Sequence, residues 1–360
     1  MKDTIIDKQL ELFIPHSSTS TAVNKTGSWR FFHPKYEEKT APCSAACPLG
    51  QDIPRIEMLA SRDQHKDALK VILDENPFPA VCGRVCFHPC EGACNRAHMD
   101  DPIAIHHIER FLGDRAISGE ILADPNPRPP AAKKIAIAGA GPAGLAAAYF
   151  LARLGYGCDV FEAATKPGGL LRRGIPTYRL PREVLDYEIK RIKNAGVRIS
   201  CQTPVNMSLL QNLKKDYDAL FIGSGYGRSF ILNIQGEQFA ADGLEFLNRL
   251  SGGEKTSYCG TAAIVGGGNT AIDVARSLAR LGAAPLIVYR RRIQDMPAFE
   301  PEIAMAVEEG VRIMELVTPI CIRESAGNST SSLPGFELTL QKMKVIDTEF
   351  SGRARVAPDG

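Results

Sequence analysis

No apolar run in this chain approaches the ~20 residues that span a bilayer, because glycine, arginine or aspartate interrupts the longest ones, and direct membrane insertion is not expected. Charge of neither sign is in excess: 43 lysines and arginines face 41 aspartates and glutamates, and a net +2 carries no nucleic-acid footprint. No Cys-x-x-Cys pair occurs, so dithiol–disulfide exchange is not the expected chemistry. Near Met1 there is no secretory order of charged, apolar and small residues; Met1 to Leu12 is charged throughout and Ser17 to Thr21 is polar. The expected location is the cytoplasm, a reducing compartment where structural disulfides are rare. Hydrophobic residues at 44% and charged residues at 23% of 360 describe a globular chain of two or three domains.

What the chain does have is a cysteine block. Six of its ten cysteines fall between Cys43 and Cys94, as Cys43-Ser-Ala-Ala-Cys47-Pro48 and then Cys82, Cys86, Cys90 and Cys94 at four-residue steps. On one straight helix the last four would span roughly 18 Å, too far for a single metal centre. Gly83, Pro89 and Gly92 are the breakers expected to fold the segment back and bring Cys86 and Cys90 to Cys47. Thiolates at this density suit an iron–sulfur cluster, zinc or disulfides. Compartment argues against disulfides, and Cys47-Pro48 with the nucleotide loops further on favours iron–sulfur, with zinc as the competitor. Cys158, Cys201, Cys259 and Cys321 lie among apolar residues and read as buried small hydrophobes.

The organisation is in blocks. Residues 1–40, including Trp29-Arg-Phe-Phe-His-Pro34, lack periodicity and read as an irregular arm; 41–123 is the cysteine domain, with a helical stretch from Ile53 to Leu73 and another near Ile103 to Ile117. Proline-rich residues 124–130 form a linker. Then comes an apolar strand from Lys134, the turn Gly139-Ala-Gly141-Pro142-Ala143-Gly144, and a helix. In that context the glycines let backbone close on a pyrophosphate at the helix amino terminus. Glu162, ending the next strand, is placed to accept from a ribose hydroxyl. The pattern repeats at Gly266-Gly267-Gly268-Asn269-Thr270, but the following strand ends in Arg290, Arg291 and Arg292. Guanidinium groups suit a 2′-phosphate and so favour NADP over NAD, although the three could instead be a solvated surface run. The fold class expected is α/β: a helical iron–sulfur domain, then two Rossmann-like dinucleotide-binding domains over 131–256 and 257–360.

An acid in the first such domain and arginines in the second is the arrangement of a flavin enzyme reduced by a pyridine nucleotide. Pro167-Gly168-Gly169-Leu170-Leu171, Gly174-Ile-Pro176, Arg179-Leu-Pro181, Met296-Pro297-Ala298, Asn76-Pro-x-Pro79, Gly83-Arg-Val-Cys86, Cys90-Glu-x-x-Cys94 and Pro102-Ile-x-Ile-x-x-x-Glu109, with the Cys43/Cys47 segment, resemble the small subunit of glutamate synthase. The resemblance runs from about residue 25 onward, and covers a module also used in dihydropyrimidine dehydrogenase, transhydrogenase-type bifurcating enzymes and 2-oxoacid oxidoreductases. It implies FAD at the first loop with Gly169 and Leu170, NAD(P)H at the second, and a helical domain holding two [4Fe-4S] clusters. One cluster's ligands match Cys47, Cys86, Cys90 and Glu109. For the other only Cys43 and Cys94 match, since no cysteine precedes Cys43, with Cys82 as a substitute ligand; one intact cluster is expected and a second is open.

The resemblance also implies a final segment that returns to the flavin domain, and this chain reaches Gly360 before it. A fragment, or a second chain completing the flavin domain, is the expectation. The implied activity is an electron relay between NAD(P)H, FAD and cluster, to or from a redox partner such as a glutamate synthase large subunit, ferredoxin or a 2-oxoacid oxidoreductase. It names no catalytic acid or base. His88, His106 and His107 lie near the ligands as tuning or packing residues, and Glu300 and Glu302 either close over the nicotinamide or start a solvated helix. A flavin-free electron-wire or assembly subunit, and a zinc-stabilised nucleotide-binding regulator, are the alternatives.

Overall fold

The computed structural model describes residues 40–121, 133–226, 231–254, 256–325, 335–348 and 353–360; the Trp29–Pro34 segment and the 124–130 linker lie outside them. The helical domain comprises α1 (Pro42–Ala46), α2 (Ile53–Ser61), α3 (His65–Glu75), α4 (Pro79–Val85), α5 (Pro89–Gly92) and α6 (Ile105–Ile117). The single helix expected over 53–73 is two: Asp52 caps α2 through the Arg55 amide, and the chain turns at Arg62–Gln64 with Asp63 at φ 58°. Ile56, Leu59, Leu69, Ile72 and Leu112 close a core beneath both.

Gly83 is not the breaker it was expected to be. It lies inside α4, where an added Cβ would sit 2.5 Å from the Arg110 amide, and Gly113 of α6 returns the contact, its Cβ position 2.7 Å from Ala80 Cα. The two glycines let α4 and α6 touch along their backbones, and Arg84 pairs with Asp114 at 2.7 Å beside them. The reversal that separates Cys86 from Cys90 comes at His88, a non-glycine residue at φ 50°, with Pro89 opening α5.

The second layer is a parallel sheet of β1 (Lys134–Ala138), β2 (Gly157–Phe161), β3 (Arg198–Ser200) and β4 (Ala219–Ile222) in the order β3-β2-β1-β4. Its crossovers are α7 (Pro142–Arg153), the short α8 (Gly169–Arg173), α9 (Arg182–Asn194) and α10 (Met207–Asp216). Phe78, Ala80 and Val81 of the helical domain share one core with Ile137, Leu145 and Leu185. Glu188 of α9, buried, accepts the Ala80 amide at 2.9 Å and pairs with Arg191, whose guanidinium also reaches Pro77 O. The cysteine domain is therefore fastened directly to the first nucleotide domain.

Following α11 (Gly243–Ser251), β5 (Thr261–Val265), α12 (Asn269–Arg280), β6 (Ala284–Tyr289), α13 (Glu300–Glu308) and β7 (Arg312–Glu315) build a second parallel sheet, β5-β6-β7. Phe246 and Leu247 of α11 pack into its core with Ile264, Ile272 and Ile287. The strands β8 (Val317–Glu324), β9 (Phe336–Thr348) and β10 (Ala354–Pro358) then pair antiparallel. Among the described residues no helix is long and apolar enough to cross a membrane.

Candidate functional site

A cavity of about 370 Å³ lies where the helical domain meets the first nucleotide domain. Cys47, Cys82, Cys86, Cys90 and Glu109 line it from one side, and Pro142 and Leu171, from the two glycine turns of the nucleotide domain, line it from the other. Each cysteine is placed by local backbone: the Cys47 amide donates to Cys43 O at 3.1 Å, the Cys86 amide to Cys82 O at 3.0 Å, and Cys90 sits in the first turn of α5. The His88 amide points at Cys86 Sγ from 3.4 Å.

Glu109, 8% exposed, is pushed up to about 7 by burial. Its Oε1 accepts from Gln51 Nε2 at 3.3 Å and from Asn76 Nδ2 at 2.6 Å, while Gln51 Nε2 also lies 4.0 Å from Cys47 Sγ. Burial likewise raises the Cys82 and Cys86 thiols and takes Cys90 up to about 12. Glu57, which also lines the cavity, has Oε1 buried without a hydrogen-bond partner among the described residues. Thiols and carboxylates drawn out of water around one cavity form a donor set that a metal centre fits. Cys82 lines this cavity and Cys43 and Cys94 do not, so Cys82 stands apart from the pair it was expected to supplement. The Cys43 thiol is raised by burial, with Glu57 and Cys94 adding their charge.

The histidines form a stack. His88 and His106 rings lie 4.2 Å apart and His106 and His107 rings 3.8 Å apart, while Glu91 Oε1 accepts both the His106 amide at 2.9 Å and Nδ1 at 2.7 Å. The ligand atoms of His88, Glu91 and His106 fall within 4.8 Å of one another.

At the first nucleotide loop, Gly139 has φ 101°, and a Cβ on Gly144 would meet Gly139 O at 1.9 Å, so helix and loop pack too closely for any side chain there. Gly141 caps α7, Pro142 and Ala143 open its first turn, and Gly169 comes against Gly141 from the second turn, with Leu170 exposed beside it. This is an anion cradle of backbone N–H groups. Glu162 is buried and holds the loop, accepting Ala140 N at 2.7 Å and Ala164 N at 2.8 Å, and each carboxylate oxygen keeps a further lone pair.

The second loop is roofed. Gly266 has φ 129°, Gly267 packs on the Tyr289 ring, and Gly268 caps α12, whose first turn holds Asn269 and exposed Thr270. Gly267 O accepts the Ala298 amide and Asn269 Oδ1 the Phe299 amide, both at 3.1 Å, so the Met296-Pro297-Ala298 segment is strapped across the turn. Of the arginines, Arg292 is held by Asp295 at 2.8 Å, Arg291 is half-buried, and Arg290 is exposed at the carboxyl end of β6.

Three features were not anticipated. Glu300 and Glu302 open α13, as one of the two readings had it, but Glu302 is drawn out of solvent there: it pairs with Arg179 at 3.0 Å and with Arg276, in a network where Arg179 also grips both Asp273 oxygens at 2.8 Å. Phe87, between two cysteines, stacks on Phe299 of the strap with ring centroids 5.1 Å apart. Gln51 and Asn76 hold Glu109. Of these residues Glu302 alone had been given candidate roles from the sequence; the Arg179 and Asn76 motifs had stood out without one. Of the outlying cysteines, Cys158 and Cys321 are buried as expected, but Cys259 is exposed and Cys201 is half-buried.

Residues 36–121 match the family described as dihydropyrimidine dehydrogenase domain II, 4Fe-4S cluster, and residues 133–348 match that described as pyridine nucleotide-disulphide oxidoreductase. The chain is 37% identical to the NADPH-Fe(3+) oxidoreductase subunit beta of Geobacter sulfurreducens over 94% of its own length and 50% of that protein. It is 37% identical to the NADP(+)-dependent formate dehydrogenase subunit beta of Moorella thermoacetica, covering 89% of this chain and 48% of the other. With the NAD-dependent dihydropyrimidine dehydrogenase subunit PreT of Escherichia coli (strain K12) it shares 36% identity over 85% of this chain and 75% of that one. It thus spans about half the length of the first two relatives. Among solved structures, FprA of Mycobacterium tuberculosis in complex with NADPH aligns at TM-score 0.50 and 18% identity, covering 65% of this chain and 68% of that one, a likeness of fold.

Proposed function

The chain belongs to the pyridine nucleotide-disulphide oxidoreductase family, with a dihydropyrimidine dehydrogenase-type 4Fe-4S domain ahead of it, and from that premise we propose that it is an NAD(P)H-dependent electron-transfer subunit serving a partner catalytic subunit. One observation carries the reading: the cavity lined by Cys47, Cys86, Cys90 and Glu109 is also lined by Pro142 and Leu171 of the first nucleotide domain's turns. An iron–sulfur centre and a flavin held by these two walls would be neighbours. When bound, a flavin would supply hydride chemistry and a cluster one-electron transfer, chemistry that belongs to the cofactors.

The residues bind and orient. Cys47, Cys86 and Cys90, with Glu109 as oxygen donor, would hold the [4Fe-4S] centre, and Cys43 with Cys94 would contribute to a second. The turns at Gly139–Gly144 and Gly168–Leu170 would seat the FAD pyrophosphate, and Glu162 its ribose. The Gly266–Thr270 turn would take NADP, with exposed Arg290 offered to a 2′-phosphate. The protein acts by placement, and no side chain is assigned a proton in the reaction.

The test is an anaerobic visible spectrum during titration with NADPH and then NADH, with iron, sulfide and flavin counted in the same sample. Bleaching of a flavin band followed by loss of cluster absorbance, at lower NADPH than NADH, is the expected result. A colourless, zinc-containing protein, or iron without any response to nucleotide, would overturn the reading.

A further inference from the structure

Four thiols face the cavity where a [4Fe-4S] centre with one oxygen ligand needs three, so something must decide between Cys82 and Glu109 for the fourth position. We propose that Asn76 makes that choice, presenting Glu109 to the metal and holding Cys82 away from it. The inference rests on the cluster reading above and deepens it.

Asn76 is fully buried at the end of α3. Its amide orientation is set by a neighbour: Oδ1 accepts the Phe78 backbone N–H at 2.8 Å, and a backbone N–H can only donate. Nδ2 is therefore the atom 2.6 Å from Glu109 Oε1. That bond, with the one from Gln51 Nε2, falls on the same oxygen, so Oε2 carries neither and is the atom left for iron. The same Asn76 Oδ1 lies 3.7 Å from Cys82 Sγ. A carbonyl oxygen only accepts, so Cys82 bonds to it as S–H, whereas a metal ligand would have to be the thiolate. One amide thus steadies the carboxylate as an acceptor and the thiol as a donor. It acts as an outer-shell positioning residue and does not itself bind metal.

The experiment is electron paramagnetic resonance of the dithionite-reduced full chain, with iron and sulfide counted, for wild type, Cys82→Ala, Asn76→Ala and the Asn76→Ala/Cys82→Ala pair. Cys82→Ala should leave g-values and iron content unchanged. Asn76→Ala should keep its iron but move the g-values and midpoint potential as sulfur replaces oxygen, and adding Cys82→Ala should restore the wild-type signal. A structural disturbance alone would move the spectrum equally with or without Cys82, and that outcome overturns the proposal, as does an unchanged Asn76→Ala spectrum. Should Asn76→Ala fail to fold, Asn76→Asp keeps the acceptor for Phe78 and removes the donor to Glu109, and is expected to disturb the same signal. Wild-type protein without iron or sulfide would sink the cluster reading as well, which the other failures would leave standing.

Discussion

Cys90 and Cys259 show how far burial separates residues of one chemistry. Without metal, burial pushes the Cys90 thiol up to about 12 and raises Cys82 well above its ordinary value, disfavouring the thiolate at both, whereas Cys259 is exposed. In metal-free protein, alkylation followed by mass spectrometry should label Cys259 first and Cys82 and Cys90 last, and raising the pH should narrow the gap. Equal labelling of all three would mean that the cavity is not closed without metal. The ligand candidates themselves were legible, because softness and spacing are written in the sequence. That Cys86 and Cys90 come to Cys47 was expected from the breakers in the segment; that Cys82 faces the same cavity was not, since Cys82 and Cys86 are one helical turn apart and the chain departs only at Phe87–His88. Nor was Asn76 legible as a support for Glu109: the two are 33 residues apart and meet only in the packed structure.

Among the elements, the glycine turns followed by helices were readable because the phosphate cradle demands that order of strand, turn and helix. The helix pair α4/α6 was not. Glycine in a cysteine-rich segment suggests a turn, yet Gly83 and Gly113 serve as a backbone contact between two helices. Gly113→Ala would place its methyl carbon 2.7 Å from Ala80 Cα, and overpacking of this kind costs roughly 1–3 kcal/mol. Urea denaturation should register that loss. Because α6 carries Glu109 and α4 carries Cys82, iron retention should fall along with stability; a variant as stable as wild type would show that the helices can separate without cost. The division expected at residue 256 follows the strand pattern, but Phe246 and Leu247 join the core beyond it, a matter of packing that periodicity does not reveal.

Across the whole molecule, the two nucleotide domains are joined by charge. Arg179 comes from the first, Asp273, Arg276 and Glu302 from the second, and the side chains of Arg179, Asp273 and Arg276 are each less than a tenth exposed. Arg179→Ala would leave buried Asp273 and half-buried Glu302 beside one fewer cation, and breaking a buried pair such as Arg179–Asp273 costs about 3–5 kcal/mol. The expected outcome is a lowered thermal midpoint together with weaker nucleotide binding, read by calorimetry and by NADPH titration. A stable variant with unchanged affinity would show that the domains do not depend on this joint. The overall fold was the most legible level, since two strand–turn–helix units and a cysteine block leave few arrangements, whereas the joints between them were invisible because they pair residues from distant parts of the chain.

The Phe87–Phe299 stack has a consequence of its own. Phe87 stands between Cys86 and the turn that leads to Cys90, and Phe299 ends the strap whose amides rest on Gly267 and Asn269. The floor of one cofactor site and the roof of another are therefore a single piece of furniture, and neither can be shifted without the other being nudged. News of what occupies the nucleotide turn therefore has a road to the cysteine cavity through two rings.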